Sequence, residues 1–335
     1  MLNNEFLIME TKLVYSVVSK KGGLYLPQAL VSIFTARRFN PTAHIALITD
    51  AETAKVIDEE FPKMQKYLDE IVIVDVPFAL NQKQKSRYLK TSLRQNIKGD
   101  FLFIDADTVV TCDLSEIDST PSDFAAVLDR HSLMSDHPIK KSVMNDLTTV
   151  GISDVNEINN RYYNSGVFYV KDCNKAHLLF ERWHENWLQY KDVKSIDQPV
   201  LALTIKQLNF PVHELDGVWN CQVFDGFLKF LSEAKIIHYY GSNKSNAYKM
   251  SEKDILRGIL EKGDISGDLL AHLENPKSFF SDKHKIIYGE DLSYFKSNIH
   301  DVFVYHKGLY KFFEFVSKCY SRKFWYNLLC CEKKR

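Results

Sequence analysis

No stretch of this sequence reaches the roughly 18 consecutive apolar residues of a membrane span. The first residues, MLNNEFLIMETK, have no basic leader and only a four-residue apolar stretch, unlike a secretory signal. The expected location is therefore cytoplasmic, or peripheral on the cytoplasmic face of the membrane. There is no excess of either charge, since 43 Lys and Arg balance 43 Asp and Glu. A nucleic-acid binder usually carries a basic surplus, so nucleic acid is not an expected partner. The six cysteines, Cys112, Cys173, Cys221, Cys319, Cys330 and Cys331, form no CxxC pair and no zinc-like spacing. They read as reduced thiols. A GxGxxG turn and a P-loop are both missing, which disfavours a NAD-type dinucleotide enzyme. Internal repeats and low-complexity linkers are missing as well.

What is present is an ordinary globular composition, 45% hydrophobic and 26% charged over 335 residues. That length holds one large α/β domain with an appendage, or two small domains. Apolar runs at Lys12–Val18, His44–Thr49, Ile71–Val74 and Phe101–Ile104 read as strands. Helical spacing separates them over Leu26–Arg38, Ala51–Phe61 and Ser86–Ile97, the last stopped by Gly99. Continuous apolar strands alternating with helices predict a mostly parallel sheet covered on both faces. Further on, Phe124–Leu128, Val167–Val170 and Lys235–His238 read as strands, and Lys175–Tyr190 and Asp197–Leu208 as helices. Ala176, Phe180, Trp183, Trp187 and Tyr190 form one helical stripe, which is core.

Two segments stand out chemically. FLFIDADTVV places Asp105 and Asp107 directly after an apolar strand. Open α/β sheets bind ligands beyond the carboxyl ends of their strands, and two such carboxylates can share one divalent cation. The bland alternative is an Asp-rich turn. IIHYYGSNK places His238 after another apolar strand, with Gly241 and Lys244 in the spacing HxxGxxK. Glycine lets backbone approach a diphosphate, and lysine meets phosphate as a point charge. Imidazole beside two carboxylates suits Mn²⁺ better than an all-oxygen Mg²⁺ site. Asn164-Ser165-Gly166 reads as a polar turn opening a strand. Asp197, before Gln198 and an apolar helix, is either a site residue or an N-cap. Arg87 and Lys90, in a segment that opens the helix before the DxD strand, either reach a diphosphate or decorate a solvated face. Asp129 ends a strand and can face a sugar.

The order DAD, NSG, DQ and HxxGxxK resembles glycosyltransferase family 8, over about residues 12–245. The resemblance implies a GT-A fold: a Rossmann-like, mostly parallel central sheet with helices on both faces. It divides the chain into a catalytic domain over 1–245 and a helical region over 246–335. It also implies Mn²⁺ held by Asp105, Asp107 and His238, with Mg²⁺ as the substitute. The donor would be a UDP-sugar, contacted by Ser19, Lys90, Asp105, Ala106, Asp107, Gly241 and Lys244. Asp129, Asn164, Asp197 and Gln198 would contact the sugars. Where the family carries Asp and Asn after the first strand, this chain has Ser19-Lys20-Lys21-Gly22-Gly23. Where Pro-Trp often follows the lysine, it has Ser245-Asn246.

The expected reaction is transfer of a hexosyl group to a hydroxyl of a glycan or glycolipid, with retention of configuration. The alternatives are a nucleotidyltransferase and a non-catalytic sugar-nucleotide or glycan-binding protein on the same fold. Residues 302–335 carry eight basic residues against two acidic, a net +6, among ten aromatics. Leu309, Phe312, Phe313, Val316, Tyr320, Phe324 and Leu328 follow helical spacing. Such a helix fits a membrane interface or docks on the catalytic domain.

Overall fold

Strand β1 (Lys12–Val17) sends Leu13, Tyr15 and Val17 into one core and Val14 into another. Consecutive strand residues face opposite ways, so a continuous apolar run is stable only when both faces are covered. The computed structural model describes residues 9–193, 196–223, 228–239, 253–267, 270–271 and 306–320. Contacts divide the chain into two compact units, Met1–Phe279 and Phe280–Arg335.

In the first unit, β1 is followed by α1 (Tyr25–Phe39), β2 (Ile45–Thr49), α2 (Ala51–Glu60) and β3 (Glu70–Ile73). Next come α3 (Gln82–Thr91), α4 (Leu93–Asn96) and β4 (Phe101–Ile104). The sequence predicts one helix over 86–97. Instead, a reciprocal cap between Asn81 and Gln84 starts the helix a turn earlier, and it breaks at Ser92. Lys90 consequently lies in the last turn of α3, rather than in an opening segment.

The chain continues through β5 (Thr108–Val110), β6 (Phe124–Leu128), α5 (Lys140–Thr149) and β7 (Tyr163–Val170). Then follow α6 (Asn174–Tyr190), α7 (Gln198–Leu208), β8 (His213–Glu214) and β9 (Cys221–Gln222). The described part of the unit closes with α8 (Leu228–Leu231), β10 (Ile236–His238), α9 (Lys253–Arg257) and a π-helical turn over Gly258–Lys262. Asn164, Ser165 and Gly166 lie inside β7, not in a turn before it. The strand begins at Tyr163 because that residue already pairs with Leu128 across a β-bulge.

Seven strands form the main sheet in the order β3-β2-β1-β4-β7-β6-β8. β3, β2, β1 and β4 are mutually parallel, and β7 runs antiparallel to both β4 and β6. After β1 the chain winds outward to β3, then returns to place β4 on the other side of β1. That reversal makes the carboxyl ends of β1 and β4 a natural ligand site. A second sheet, β5-β10-β9, pairs Thr108 with His238. One core lies under α1 and the other under α5, α6 and α7. The α9 segment adds Ile259 and Ile265 to the α1 side, where the Tyr67 hydroxyl donates to the Ile259 carbonyl at 3.2 Å. The second unit is described through α10 (Lys307–Tyr320) alone.

Trp183 on α6 is fully buried, stacks edge-on against Phe168 and Phe180, and donates its indole N–H to the Asp197 carbonyl at 3.2 Å. Trp183→Ala is expected to cost about 3–5 kcal/mol of stability. Trp183→Phe, which keeps most of the packing, should lose far less. Urea unfolding of the two variants is the check, and equal midpoints would count against this packing.

Candidate active site

The pairing of β5 with β10 brings together residues that are distant in sequence. Asp105 follows β4, Asp107 precedes β5, and His238 ends β10 directly opposite Thr108. One ligand atom from each of Asp105, Asp107 and His238 lies within 4.8 Å of the others. His238 Nε2 is 3.2 Å from Asp107 Oδ1. The imidazole is buried, while the two carboxylate side chains keep 26% and 25% of their exposure. The site is therefore open from the carboxylate side. Ala106, between them, packs on the core.

Burial pushes the Asp105 carboxyl up; Lys90 opposes this and Asp107 adds to it, and the net is upward. Burial would raise Asp107 too, but His238 holds it below the usual carboxylate range. Burial disfavours imidazolium at His238, yet Asp107 and then Asp105 raise the ring above its ordinary value.

Behind Asp105 sits Lys90, 2% exposed. Its ammonium lies 2.8 Å from Asp105 Oδ1, 3.1 Å from the Ser165 carbonyl and 3.7 Å from Asp197 Oδ2. Arg87 Nε is 2.8 Å from Asp197 Oδ1. Burial would raise Asp197, but Lys90 and Arg87 keep it low. Asp197 precedes α7, and its side chain makes no capping hydrogen bond to that helix. The N-cap alternative therefore fails.

On the other flank, Asp129 Oδ1 accepts from Asn164 Nδ2 at 2.9 Å, and Oδ2 lies 3.0 Å from His137 Nε2. Burial would raise Asp129; the hydrogen bonds from His137 and Asn164, with a smaller one from Gln198, hold it low. Gln198 Oε1 accepts the Ser165 N–H at 3.1 Å. After Asp129 the backbone enters the left-handed region at Arg130 (φ 49°) and His131 (φ 55°). Each such non-glycine residue costs about 1–2 kcal/mol. Gln222 holds the turn: it accepts the Arg130 N–H at 2.8 Å and donates to the Leu128 carbonyl at 2.9 Å.

Residues 3–245 match the family described as Glycosyl transferase family 8. This chain belongs to that family. A search of curated proteins finds no match. Among solved structures, the galactosyltransferase LgtC in complex with donor and acceptor sugar analogues is 17% identical. It aligns over 78% of this chain and 99% of its own, with a TM-score of 0.51. An active-site mutant of LgtC gives 16% identity, 77% and 98% coverage, and the same TM-score. At these identities the likeness speaks for the fold alone, and that fold is GT-A.

A GT-A glycosyltransferase implies a divalent cation, and the residues present fit one. Two carboxylates and an imidazole form a three-ligand set with its outer side open. Gly166 supplies the room. A Cβ there would stand 2.3 Å from His238 Cε1 and 2.9 Å from Asp105 Oδ2.

Of the residues singled out by sequence, Asp105, Asp107, His238, Lys90, Asp197, Gln198, Asn164 and Asp129 meet in one continuous cluster. Ser19 follows β1 at the same sheet edge, where its N–H donates to Thr53 Oγ1 at 2.9 Å and ties the loop to α2. Gly241 and Lys244 lie outside the described residues. Sequence reasoning missed Asn220, which accepts from or donates to two site residues, as well as His137 and Gln222. None carries a local motif. The only trace is a run of polar residues, Asn220 and Gln222, inside the otherwise apolar VWNCQVF.

Gly166→Ala is expected to fold but to lose about 1–3 kcal/mol through overpacking. Divalent-cation affinity should fall about tenfold or more as His238 is displaced. Chemical denaturation and Mn²⁺ titration measure the two effects; wild-type affinity would contradict the close approach.

Proposed function

We propose that this glycosyltransferase moves a hexosyl group from a UDP-sugar to a hydroxyl of a glycan or glycolipid, using Mn²⁺ and retaining the anomeric configuration. The observation that carries the reading is the convergence of Asp105, Asp107 and His238 around the space left by Gly166. Family membership supplies the sugar-nucleotide donor class. The catalytic domain is assigned to residues 1–245, of which 3–245 match the family.

Asp105, Asp107 and His238 hold the cation. When bound, it supplies charge neutralisation for the departing diphosphate. Lys90 bridges Asp105 and Asp197, and with Arg87 it keeps Asp197 ionised. The HxxGxxK motif assigns Lys244 and Gly241 to the diphosphate, since a lysine meets phosphate as a point charge and a glycine permits close backbone approach. Ser19 lies on the nucleotide side. Asp129, Asn164, Asp197 and Gln198 bind and orient the sugar. Positive charge builds at the anomeric carbon in an oxocarbenium-like transition state, as in glycoside hydrolysis. The ionised Asp129 stabilises it through space. Both Asp129 oxygens already accept hydrogen bonds, which makes this carboxylate a poor nucleophile. Same-face transfer follows: the bond from the anomeric carbon to the UDP oxygen breaks. The bond to the acceptor oxygen forms on the same side, and the acceptor proton leaves with the diphosphate.

The test is UDP release from a panel of UDP-hexoses with sugar acceptors, followed by proton NMR of the fresh product. Release is expected to require Mn²⁺ and to stop on chelation. An α-linked donor should give an α-glycoside; a β-linked product would overturn retention.

The basic, aromatic segment 302–335 is assigned to an anionic membrane surface, where a lipid-linked acceptor would be met. Within α10, Leu309, Phe312, Phe313 and Phe315 are 47–63% exposed. Among the described residues no helix is long and apolar enough to cross a membrane. Full-length protein is expected to sediment with anionic liposomes at low salt and to be released at high salt. Deleting 302–335 should abolish sedimentation and leave slow UDP-sugar hydrolysis. A full-length chain that stays in the supernatant, or a truncated chain that unfolds, refutes the assignment.

A further inference from the structure

We infer that Asn220 is a positioning residue for the cation site: it accepts the Nδ1 proton of His238 and so holds the ring with Nε2 turned toward Asp107. The inference rests on the cation reading above but concerns a residue that touches neither donor nor cation.

Amide orientations and histidine tautomers are usually ambiguous. Here one backbone group removes the ambiguity. The Gly166 N–H can only donate, and it lies 2.9 Å from one terminal atom of the Asn164 side chain, which must be the oxygen. The other terminal atom of Asn164 is then the amide nitrogen, and it faces Asp129 Oδ1 at 2.9 Å, an acceptor as required. Asn164 Oδ1 also lies 2.9 Å from Asn220, so the Asn220 atom facing it must be the donating nitrogen. That leaves the Asn220 oxygen against His238 Nδ1 at 2.9 Å. An oxygen there accepts, so Nδ1 carries the proton. Nε2 is thereby turned to Asp107 Oδ1 at 3.2 Å; a proton there is shared with that carboxylate until a cation takes its place.

The chain of groups is closed to water. Asn164, Asn220 and His238 are each 2% exposed or less. Its register is also fixed by the backbone. Asn220 ends a short turn over Gly217–Asn220 that Asp216 caps, accepting the Val218 N–H at 3.0 Å. The next two residues form β9, which pairs Cys221 with Ile237 and Gln222 with His238. Asn220 thus lies directly before the strand that pairs with the one carrying His238. A histidine that binds metal through one nitrogen commonly has its other N–H fixed in this way, and the partner sets both ring orientation and basicity.

Two measurements test the inference. In cation-free, ¹⁵N-histidine-labelled protein, His238 should show a protonated Nδ1, whatever the state of Nε2, which faces the Asp107 carboxylate. An unprotonated Nδ1 in the wild type overturns the inference. Mn²⁺ binding in the presence of UDP, followed by loss of the free-ion EPR signal, should weaken about 10–100-fold in Asn220→Leu. Asn220→Asp keeps an acceptor for the Nδ1 proton but loses the donor to Asn164, so its Mn²⁺ affinity should fall less than that of Asn220→Leu. Wild-type Mn²⁺ affinity in Asn220→Leu also overturns it. Should Asn220→Leu fail to fold, the tautomer spectrum decides the matter. If the wild-type chain takes up no Mn²⁺, the cation reading fails, and the metal-free tautomer spectrum still decides the Asn220–His238 arrangement.

Discussion

The ammonium of Lys90 is the fixed charge on which the site depends. It comes from the last turn of α3, reaches the end of β4 at Asp105, touches β7 through the Ser165 carbonyl, and approaches Asp197 before α7. Four elements thereby share one buried cation. Lys90 opposes the upward push that burial gives Asp105 and, with Arg87, holds Asp197 low. Removing one partner from such a buried set strands the others, which is far worse than never having built it. The lysine is therefore part of the protein's own framework as much as of its ligand chemistry. This explains why it is buried rather than displayed.

The polar groups on the other flank follow the same logic without net charge. Asn164, Asn220, Gln198 and Gln222 each use both ends of an amide, or an amide and a backbone group, to satisfy a neighbour. Fully paired networks of this kind rigidify a core, whereas half-paired ones destabilise it. The left-handed backbone at Arg130 and His131 is an unfavourable conformation for residues with a Cβ. It persists because Gln222 holds the turn on both sides, and it aims Asp129 back toward Asn164. Strain is thus placed beside the groups proposed to bind sugar, where the surrounding hydrogen bonds over-determine it.

Much of this was legible in the chain. The parallel strands β1, β2 and β4 announce themselves by apolar runs, because burial on two faces leaves no room for polar interruption; the edge strand β3 is apolar though only partly buried. Asp105, Asp107 and His238 stand out because carboxylates and imidazole directly after apolar strands are conspicuous. The strand β5 was not anticipated, being only three residues long, and its pairing with β10 depends on tertiary register. The start of α3 was misplaced because the cap at Asn81 lies in a polar stretch with no apolar period. Asn164-Ser165-Gly166 was read as a turn because polar triplets usually are; here the side chains are satisfied inside the strand by Asp129, Gln198 and Asn220. The role of Asn220 had no local signal at all. An amide that acts by relaying orientation between two distant segments is visible only once those segments are adjacent.

The small β5-β10-β9 sheet has a consequence for how the protein is made. Its first strand and its last are separated by more than a hundred residues, yet His238 must lie against Thr108 before the three ligands can meet. A ribosome that has released residues through α7 has produced seven strands, both helical layers and the buried Lys90 cluster. It has not produced a cation centre. Long-range pairing of this kind forms late, after the loop between the strands has been ordered. The nascent chain thus gains a folded scaffold first, and the three residues of the candidate cation site meet last.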